Sequence, residues 1–369
     1  MKRAAAAAIS LMTGLAMLTG CSRAEVEETI QPLVADAIEE SDSEAEAVKE
    51  EDESPLIPEI DTDIKIHASS RIAVVSKCVK GEYWKMVKKG MEDAVKEINK
   101  AYGYKKDDQI TMTFEGPDNE EDVETQINTI DAVIAENPDV LCISASDMDS
   151  CEAQLEAAKE NGIPVIAFDS NVAEKKLVKA YRGTDNVQVG KMAAYQLGSA
   201  LGKMGKVAVF SAQQKTKSVQ DRVEGFMNNI GKYGDIEVVE TIYSDQVDDM
   251  EASMKEVLEK YPTLDGVFCT NADITEMYLN LEKSDEHDAP ALVGVDATTK
   301  QQEAIRNGEE IGCVSQQPYA MGYQTIWAAV ETTAPKKSVV IEKNVLSNPA
   351  WIDADCLDDP DYSGYLYTE

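Results

Sequence analysis

The sequence predicts an α/β fold in which parallel strands are covered by helices on both faces. Three features of residues 71–316 support this prediction. Short, continuously apolar runs recur, segments with the 3.6-residue period of helices separate them, and polar residues follow most of the runs. Strand and helix alternate about nine times, which is typical of a doubly wound sheet and exceeds what one sheet of ordinary size needs. We therefore expect two lobes.

The predicted strands are apolar throughout, as expected for strands that are buried on both faces. In chain order they are RIAVVS (71–76), QITMTFE (109–115), DVLCIS (139–144), IPVIAFD (163–169), KVAVFS (206–211), IEVVETI (236–242), DGVFCT (265–270), ALVGVD (291–296) and IGCVSQ (311–316). The segment after the first run has helical period, with a single apolar stripe formed by Trp84, Val87, Met91, Ala94, Val95 and Ile98.

Residues 1–21 have the order of an export signal. Lys2 and Arg3 precede an apolar run from Ala4 to Met17, and the small-residue stretch LTGC ends at Cys21. The apolar run is too short for a membrane-spanning helix. LTGC resembles the lipobox of bacterial lipoproteins, which implies lipid modification of Cys21 and anchoring to the outer face of the cell membrane. The alternative is an ordinary secretory signal with an incidental cysteine.

Residues 22–70 carry sixteen acidic and three basic residues and almost no aromatic ones. Such a segment buries too little apolar surface to offset the entropy of ordering it, so we predict a disordered acidic tether. The formal net charge of the chain is −34, and no stripe of Lys and Arg is present. These features argue against nucleic acid as a partner, because phosphate binding needs clustered cations.

Six cysteines follow Cys21, and none of them forms a C-x-x-C pair. Because six cysteines allow many disulfide connectivities, the sequence assigns no bridges, and we expect mostly free thiols. Several of them lie inside strand-like runs, where a thiol behaves as a small apolar residue. The six are Cys78, Cys142, Cys151, Cys269, Cys313 and Cys356.

Polar residues stand where the predicted strands end. Ser144 and Asp169 end two strands of the first half, and Asn271 and Asp296 follow two strands of the second half. Ligands of open α/β sheets bind beyond the carboxyl ends of the strands. We therefore expect two sets of polar side chains, which converge if the lobes face each other across a cleft.

Eight short motifs in one order resemble the ribose/galactose type of periplasmic sugar-binding protein, a type I substrate-binding protein of ABC transporters. They span about residues 71 to 344 and are RIAVVS...EYW, ISASD, IPVIAFDSN, GTDN..VG, VQDRVEGF, YPTLDGVFCTNAD, LVGVDAT and SQQP. The resemblance implies two Rossmann-like doubly wound lobes joined by a three-segment hinge near 184–185, 316–317 and 344–346. The N-lobe would then hold 71–184 plus 317–345, and the C-lobe 185–316 plus 346–369. The final stretch WIDADCLDDPDYSGYLY is predicted to be an exposed extension.

The resemblance also implies a set of ligand contacts from both lobes. Carboxylates accept hydrogen bonds from sugar hydroxyls, Arg and Asn donate to oxygens, and aromatic rings cover C–H faces. The implied contacts are Tyr83, Trp84, Ser144, Asp169, Arg222, Asp245, Asn271, Asp296 and Gln316.

Two positions depart from the family pattern. Ser170 stands where ribose-type proteins carry an arginine, and Asp245 stands where the family commonly offers an aromatic ring. The second ring of an aromatic sandwich is therefore expected to be absent. The acidic residues suit a sugar with a different hydroxyl pattern, a polyol, or an amino-bearing ligand.

The implied function is capture of a monosaccharide or polyol for an ABC-type permease by a monomer without cofactor or metal. A sensor that presents its closed form to a chemoreceptor or histidine kinase is the alternative. Catalysis is disfavoured because His67 and His287, the only histidines, lie in polar segments unsuited to a triad or a metal site, and carboxylates on opposing lobes suit glycosidase chemistry poorly. A transcription factor is also disfavoured. Transcription factors with this fold carry an N-terminal helix-turn-helix, whereas an export signal and an acidic tether are predicted here.

Overall fold

A computed structural model of the chain describes residues 57–281, 289–335 and 339–368. These residues form two α/β lobes, each built on a predominantly parallel sheet, which confirms the predicted fold class. The predicted signal, Cys21, most of the predicted tether and His287 lie outside the described residues. Within the described ranges, no helix combines the length and apolarity that crossing a membrane requires.

The elements of the described chain alternate between strand and helix. In chain order they are β1 (Arg71–Val75), α1 (Glu82–Ala101), β2 (Thr111–Glu115), α2 (Val123–Ala135), β3 (Val140–Ile143), α3 (Glu152–Glu160), β4 (Val165–Phe168), β5 (Ala180–Thr184), α4 (Asn186–Ala200), β6 (Met204–Ser211), α5 (Lys217–Ile230), β7 (Asp235–Tyr243), α6 (Met250–Lys260), β8 (Gly266–Cys269), α7 (Ala272–Leu279), β9 (Ala291–Val295), α8 (Thr299–Asn307), β10 (Gly312–Ser315), α9 (Pro318–Thr332), β11 (Asn344–Ser347) and β12 (Ala350–Ile352).

The N-lobe sheet has the strand order β2-β1-β3-β4-β5-β11, with every pair parallel. Helices α1 and α9 pack side by side on one face and bury the predicted apolar stripe of α1. Their backbones approach closely because both carry glycine at the contact. A Cβ atom at Gly90 would meet the Tyr319 carbonyl oxygen at 2.0 Å, and one at Gly322 would meet that of Val87 at 2.1 Å.

The C-lobe repeats this plan with the strand order β7-β6-β8-β9-β10-β12. The last strand, β12, pairs antiparallel with β10, whereas the other pairs are parallel. In both sheets the strand order reverses direction next to the first strand of the lobe, between β1 and β3 and between β6 and β8. A reversal of this kind opens a crevice at the carboxyl ends of the strands, and the two crevices hold the site described below.

The chain passes between the two sheets three times: after β5, after β10, and between β11 and β12. The third passage lies later than predicted, because β11 pairs with β5 through Ser347. The N-lobe sheet therefore includes Leu346 and Ser347, which the sequence analysis assigned to the C-lobe.

Residues 57–70, the last part of the predicted tether, pack against the N-lobe. Ile66 is buried in the apolar cluster under α1, and Ile60 and Ile64 pack against that cluster. The Tyr102 hydroxyl donates to the Ile64 carbonyl at 2.7 Å and lies 2.9 Å from the Asp61 carbonyl. The prediction of disorder is wrong for this stretch because its isoleucines find an apolar surface on the lobe.

The C-terminal segment (353–368) also contradicts its prediction as an exposed extension. It follows β12 and folds back over the C-lobe, where Leu357 packs with Ile352 and Cys313. Near its end Tyr367 is only 1% exposed. The many acidic residues of this segment suggested exposure, but aromatic and apolar residues lie between them and pack on the lobe.

Glu310 is a buried carboxyl group in the C-lobe, 1% exposed, beside β9 and α8. The Gln301 amide donates to its Oε1 at 3.3 Å, and Oε2 has no partner within the described residues. Burial raises its pKa from the ordinary 4.5 to about 8, a shift that the hydrogen bonds from Gln301 and the Gly294 backbone only partly offset. Because its pKa is higher in the folded chain, Glu310 takes up a proton on folding. Its contribution to stability is therefore greatest below its unfolded pKa and is lost as pH rises toward 8.

We expect Glu310→Gln, which is neutral at every pH, to remove this part of the pH dependence. The melting temperature of the variant should exceed that of the wild type at about pH 9, and the difference should shrink toward about pH 5. Thermal unfolding across this range measures the effect, with Glu309→Gln on the exposed neighbour as control. Equal pH profiles for wild type and Glu310→Gln would contradict the assignment.

Candidate ligand-binding site

A cavity of about 740 Å³ lies between the carboxyl ends of the strands of both lobes. Its volume falls within the range of small-molecule sites, roughly 300–1,000 Å³. Seven of the nine residues implied by the resemblance line it: Tyr83, Trp84, Asp169, Arg222, Asn271, Asp296 and Gln316.

Tyr83 and Trp84 lie in the first turn of α1, directly after Gly81, whose φ of 85° favours glycine. Both rings are largely buried, with Trp84 3% and Tyr83 8% exposed. The Trp84 ring packs edge-on against Phe168, with centroids 6.4 Å apart. The pair therefore belongs to the N-lobe core and presents only part of its surface to the cavity.

Asp169 follows β4 and has a left-handed backbone with φ of 53°, a conformation that is rare outside glycine and concentrates at functional sites. Its Oδ1 accepts from the Tyr83 hydroxyl at 2.7 Å, and its Oδ2 accepts from Ser144 Oγ at 2.7 Å. Ser144 is fully buried and does not line the cavity. Its contact with Asp169 makes it a support for the carboxylate.

Lys77, which the sequence analysis missed, is buried in the cavity wall. Its Nζ lies 3.1 Å from Asp169 Oδ2, 3.6 Å from Glu120 Oε2 and 5.7 Å from the centroid of the Trp84 ring. Burial lowers the pKa of Lys77, but the two carboxylates outweigh burial, so the pKa is raised. Burial likewise raises the pKa of Asp169, but Lys77 and the hydroxyl donors outweigh it, so the pKa is lowered. Both groups are therefore ionised at neutral pH.

Asp296 occupies the matching position in the C-lobe. It follows β9, has φ of 78°, and is buried. Its Oδ1 accepts from Gln316 Nε2 at 2.7 Å and from the Tyr367 hydroxyl at 2.9 Å, and its Oδ2 accepts from the Ala272 amide at 3.0 Å. Each lobe thus presents one strand-end aspartate in a left-handed backbone, oriented by a tyrosine hydroxyl.

Arg222 extends from α5, where it is 3% exposed. Because α5 begins at Lys217, Arg222 lies in the second turn of the helix. Its Nε donates to Asn186 Oδ1 and its Nη1 to the Thr270 carbonyl, both at 2.8 Å. A guanidinium has further donors, so these two bonds fix its plane and leave N–H groups for a ligand oxygen.

Close packing of α4 against α5 sets the position of Arg222. A Cβ atom at Gly190 would meet the Arg222 carbonyl oxygen at 1.9 Å, and one at Gly225 would meet that of Val187 at 2.2 Å. Only glycine permits this approach, so the backbone that carries the arginine is held firmly.

Asn271 and Gln316 complete the C-lobe wall. Asn271 caps α7, and its side chain accepts from the Ile274 amide at 3.1 Å. Asn271 therefore both caps the helix and lines the cavity. Gln316 is 2% exposed, and within the described residues its Oε1 has no hydrogen-bond partner. A buried amide oxygen without a partner is costly, so a donor from a ligand would relieve it.

Asp245 does not line the cavity. It lies in a short 3₁₀ turn (Ser244–Gln246) after β7, and its Oδ1 accepts from the backbone amide of Gln214 at 2.9 Å. The neighbouring Ser244 lines the cavity and donates to Glu121 of the N-lobe. Asp245 is therefore exposed outside the cavity, and its neighbour Ser244 makes the contact across the cleft.

The cavity carries more carboxylates than the resemblance implied, among them Glu120, Asp273 and Glu276. Asp273 is accessible from the cleft, yet the surrounding protein displaces much of its water. This desolvation, and then repulsion from Glu120, Glu276 and Asp296, raises its pKa to about 7. Acidic residues in helix starts and loops resemble solvated charges in sequence, which is why these were missed.

Comparison with known proteins identifies the family. The periplasmic binding protein domain family matches residues 72–337, well over half of the chain. The chain belongs to this family. The resemblance stated from the short motifs is thereby confirmed.

Individual relatives are identical to this chain at about a quarter of the aligned residues. The ribose import binding protein of Bacillus subtilis is 26% identical over 60% of this chain and 71% of its own length. A xylitol-binding protein of Mycolicibacterium smegmatis is 25% identical over 57% of this chain and 60% of its own length.

Solved structures agree with the fold. An ABC transporter solute-binding protein from Agrobacterium vitis with bound D-fucose has a TM-score of 0.72 and 26% identity, covering 81% of this chain and 100% of its own. Another from the same organism, bound with α-D-tagatopyranose, has a TM-score of 0.74 and 24% identity over the same shares.

Proposed function

We propose that this protein captures a small sugar or polyol outside the cytoplasmic membrane, in the cleft between its lobes, and delivers it to an ABC-type permease. The observation that carries the proposal is the pairing of Asp169 and Asp296, one from each lobe, with Arg222 in the wall of one cavity. Ionised carboxylates accept hydrogen bonds from hydroxyl groups, and a fixed guanidinium donates to ring or hydroxyl oxygens.

The protonation state of Asp169 supports a binding role. The lowered pKa keeps its carboxylate ionised at neutral pH, as an acceptor of hydrogen bonds from ligand hydroxyl groups. The names of relatives point the same way, since they include ribose, xylitol and D-allose binding proteins.

Contacts across the cleft indicate how a bound ligand is enclosed. At one side, Gln213 Nε2 and Thr216 Oγ1 of the C-lobe donate to the Ser146 carbonyl at 2.7 and 2.6 Å. At the other, the Thr299 amide at the start of α8 donates to Glu82 Oε2 at 2.8 Å. A ligand held by both lobes would favour this arrangement over one in which the lobes separate.

The proposal includes a membrane anchor at Cys21, with the acidic residues up to about 56 as a tether. Acyl chains would hold the binding domain at the membrane surface without spanning it. Mass spectrometry of the membrane fraction tests this part, because a Cys21→Ser variant should lose the lipid and leave the membrane.

We expect residues 22–369 to gain thermal stability when a matching sugar is added. A ligand that binds only the folded state raises the free energy of unfolding by about 2.7 kcal/mol at a hundredfold excess over its Kd. The panel is D-ribose, D-allose, D-fucose, D-arabinose, D-tagatose and xylitol, and the amino acid glycine is the non-sugar control. A panel without any shift in melting temperature would contradict the proposed ligand class.

A further inference from the structure

The C-terminal segment (353–368) brings a tyrosine into the contact between the lobes. The backbone of Tyr367 is bound to the C-lobe, where its amide donates to the Ala297 carbonyl at 3.0 Å. Its carbonyl accepts from Gln302 Nε2 at 2.8 Å, and the same Gln302 nitrogen lies 2.8 Å from the Ala297 carbonyl. This end of the chain therefore moves with the C-lobe.

The side chain of Tyr367 reaches the other lobe. Its ring is buried in the N-lobe apolar cluster with Tyr83, Trp84 and Phe168, and its centroid lies 5.9 Å from that of Tyr83. Tyr83 donates to Asp169, and Tyr367 donates to Asp296 at 2.9 Å. One ring contact thus joins the two tyrosines that orient the two aspartates of the site.

The bond to Asp296 is well suited to fixing a carboxylate. Burial, and then the charge of Asp296, raises the pKa of Tyr367 well above its usual range, so the hydroxyl stays protonated and donates. Gln316 donates to the same carboxylate oxygen. Two donors on Oδ1 hold the carboxylate plane and direct its remaining acceptor capacity toward the cavity.

We propose that Tyr367 is a positioning residue of the ligand site, which holds Asp296 in its binding orientation and joins the C-lobe to the N-lobe core through its ring. The part of this inference that concerns affinity rests on the proposed sugar-binding function. The part that concerns the lobes does not, because separating the lobes would withdraw the ring from its apolar cluster whether or not ligand is present.

Two variants separate these parts. Tyr367→Phe keeps the ring and removes the hydrogen bond to Asp296, and its affinity for the panel sugar with the strongest binding should fall about tenfold, the effect of one hydrogen bond to a charged group. Tyr365→Phe is the matched control, since Tyr365 lies in the same segment and its hydroxyl donates to the Asn348 carbonyl at 3.2 Å. The control should bind as the wild type does.

Tyr367→Ala removes the ring, and small-angle scattering of the ligand-free protein should then show a larger radius of gyration than the wild type. Circular dichroism confirms that the variant is folded, and if it is not, Tyr367→Leu replaces it. Wild-type affinity in Tyr367→Phe, or unchanged scattering in the ring-deleted variant, would overturn the inference. If the wild type binds no sugar of the panel, the proposed function fails, and the scattering result alone decides the role of Tyr367.

Discussion

Asp296→Asn is expected to lower sugar affinity by about a hundredfold. The substitution keeps the shape of the side chain, and Asn tolerates the left-handed backbone that Asp296 adopts. It removes the negative charge, so about two charge-assisted hydrogen bonds to ligand hydroxyls become neutral ones or are lost, at about 1.5 kcal/mol each. Isothermal titration with the sugar identified by the thermal panel measures the change.

The control for this prediction is Asp358→Asn in the same lobe. Asp358 forms an exposed ion pair with Arg306 at 3.3 Å, and surface pairs of this kind contribute little. The control tests whether loss of one negative charge from the acidic surface affects binding. If Asp296→Asn and the wild type bind the sugar with similar affinity, Asp296 is not a ligand contact.

Arg222→Met should reduce affinity by at least as much, because the ligand loses its cationic donor. Methionine keeps an unbranched apolar side chain of similar length, so the ligand-free variant should remain folded, with a melting temperature somewhat below that of the wild type. The change also leaves Asn186 and the Thr270 carbonyl without their donor, which accounts for a modest loss of stability.

Arg306→Met serves as the surface control for the arginine. Thermal unfolding with and without sugar separates the two effects, since only Arg222→Met should abolish the stabilisation by ligand. A variant that is still stabilised by sugar as strongly as the wild type would show that Arg222 does not contact the sugar.

The fold was predictable from the sequence because most interior strands of the two sheets are continuous apolar runs. The edge strands β2 and β7 are only partly buried, and their alternation with helical segments indicated them. All nine predicted strands are present. The sequence pattern did not predict β5 and β11, which mix polar with apolar residues, or β12, which has only three residues. In β5, for example, the buried Arg182 donates to the Tyr181 and Glu342 carbonyls, each at 2.9 Å, a tertiary arrangement that no local pattern reveals.

The candidate site was predictable where chemistry coincides with strand ends. Asp169, Asn271 and Asp296 each follow a buried strand, and ligands of doubly wound folds bind beyond the carboxyl ends of the strands. Lys77 was not predictable in the same way, because a lysine in a polar turn resembles a solvated charge until Asp169 and Glu120 are placed beside it. Tyr367 depends on a segment that returns from the chain end, and its acidic composition gave no sign of burial.

The aromatic pair at the start of α1 illustrates the same limit. Tyr83 and Trp84 both pack in the N-lobe core and line the cavity, which their sequence pattern alone does not show. Trp84 Nε1 donates to Glu120 at 2.7 Å at the cavity wall while the ring packs on Phe168. Tyr367 does not replace the ring that is absent at Asp245, because its side chain is buried against Tyr83 in the apolar cluster and does not line the cavity.

A crystal structure with the sugar that gives the largest thermal shift tests the central claim most directly. The account predicts electron density for one sugar between the two strand-end aspartates, with hydroxyl groups within hydrogen-bonding distance of Asp169, Asp296 and Arg222 and with contacts to both lobes. Sugar bound to one lobe only, or at a surface away from this cavity, would contradict it.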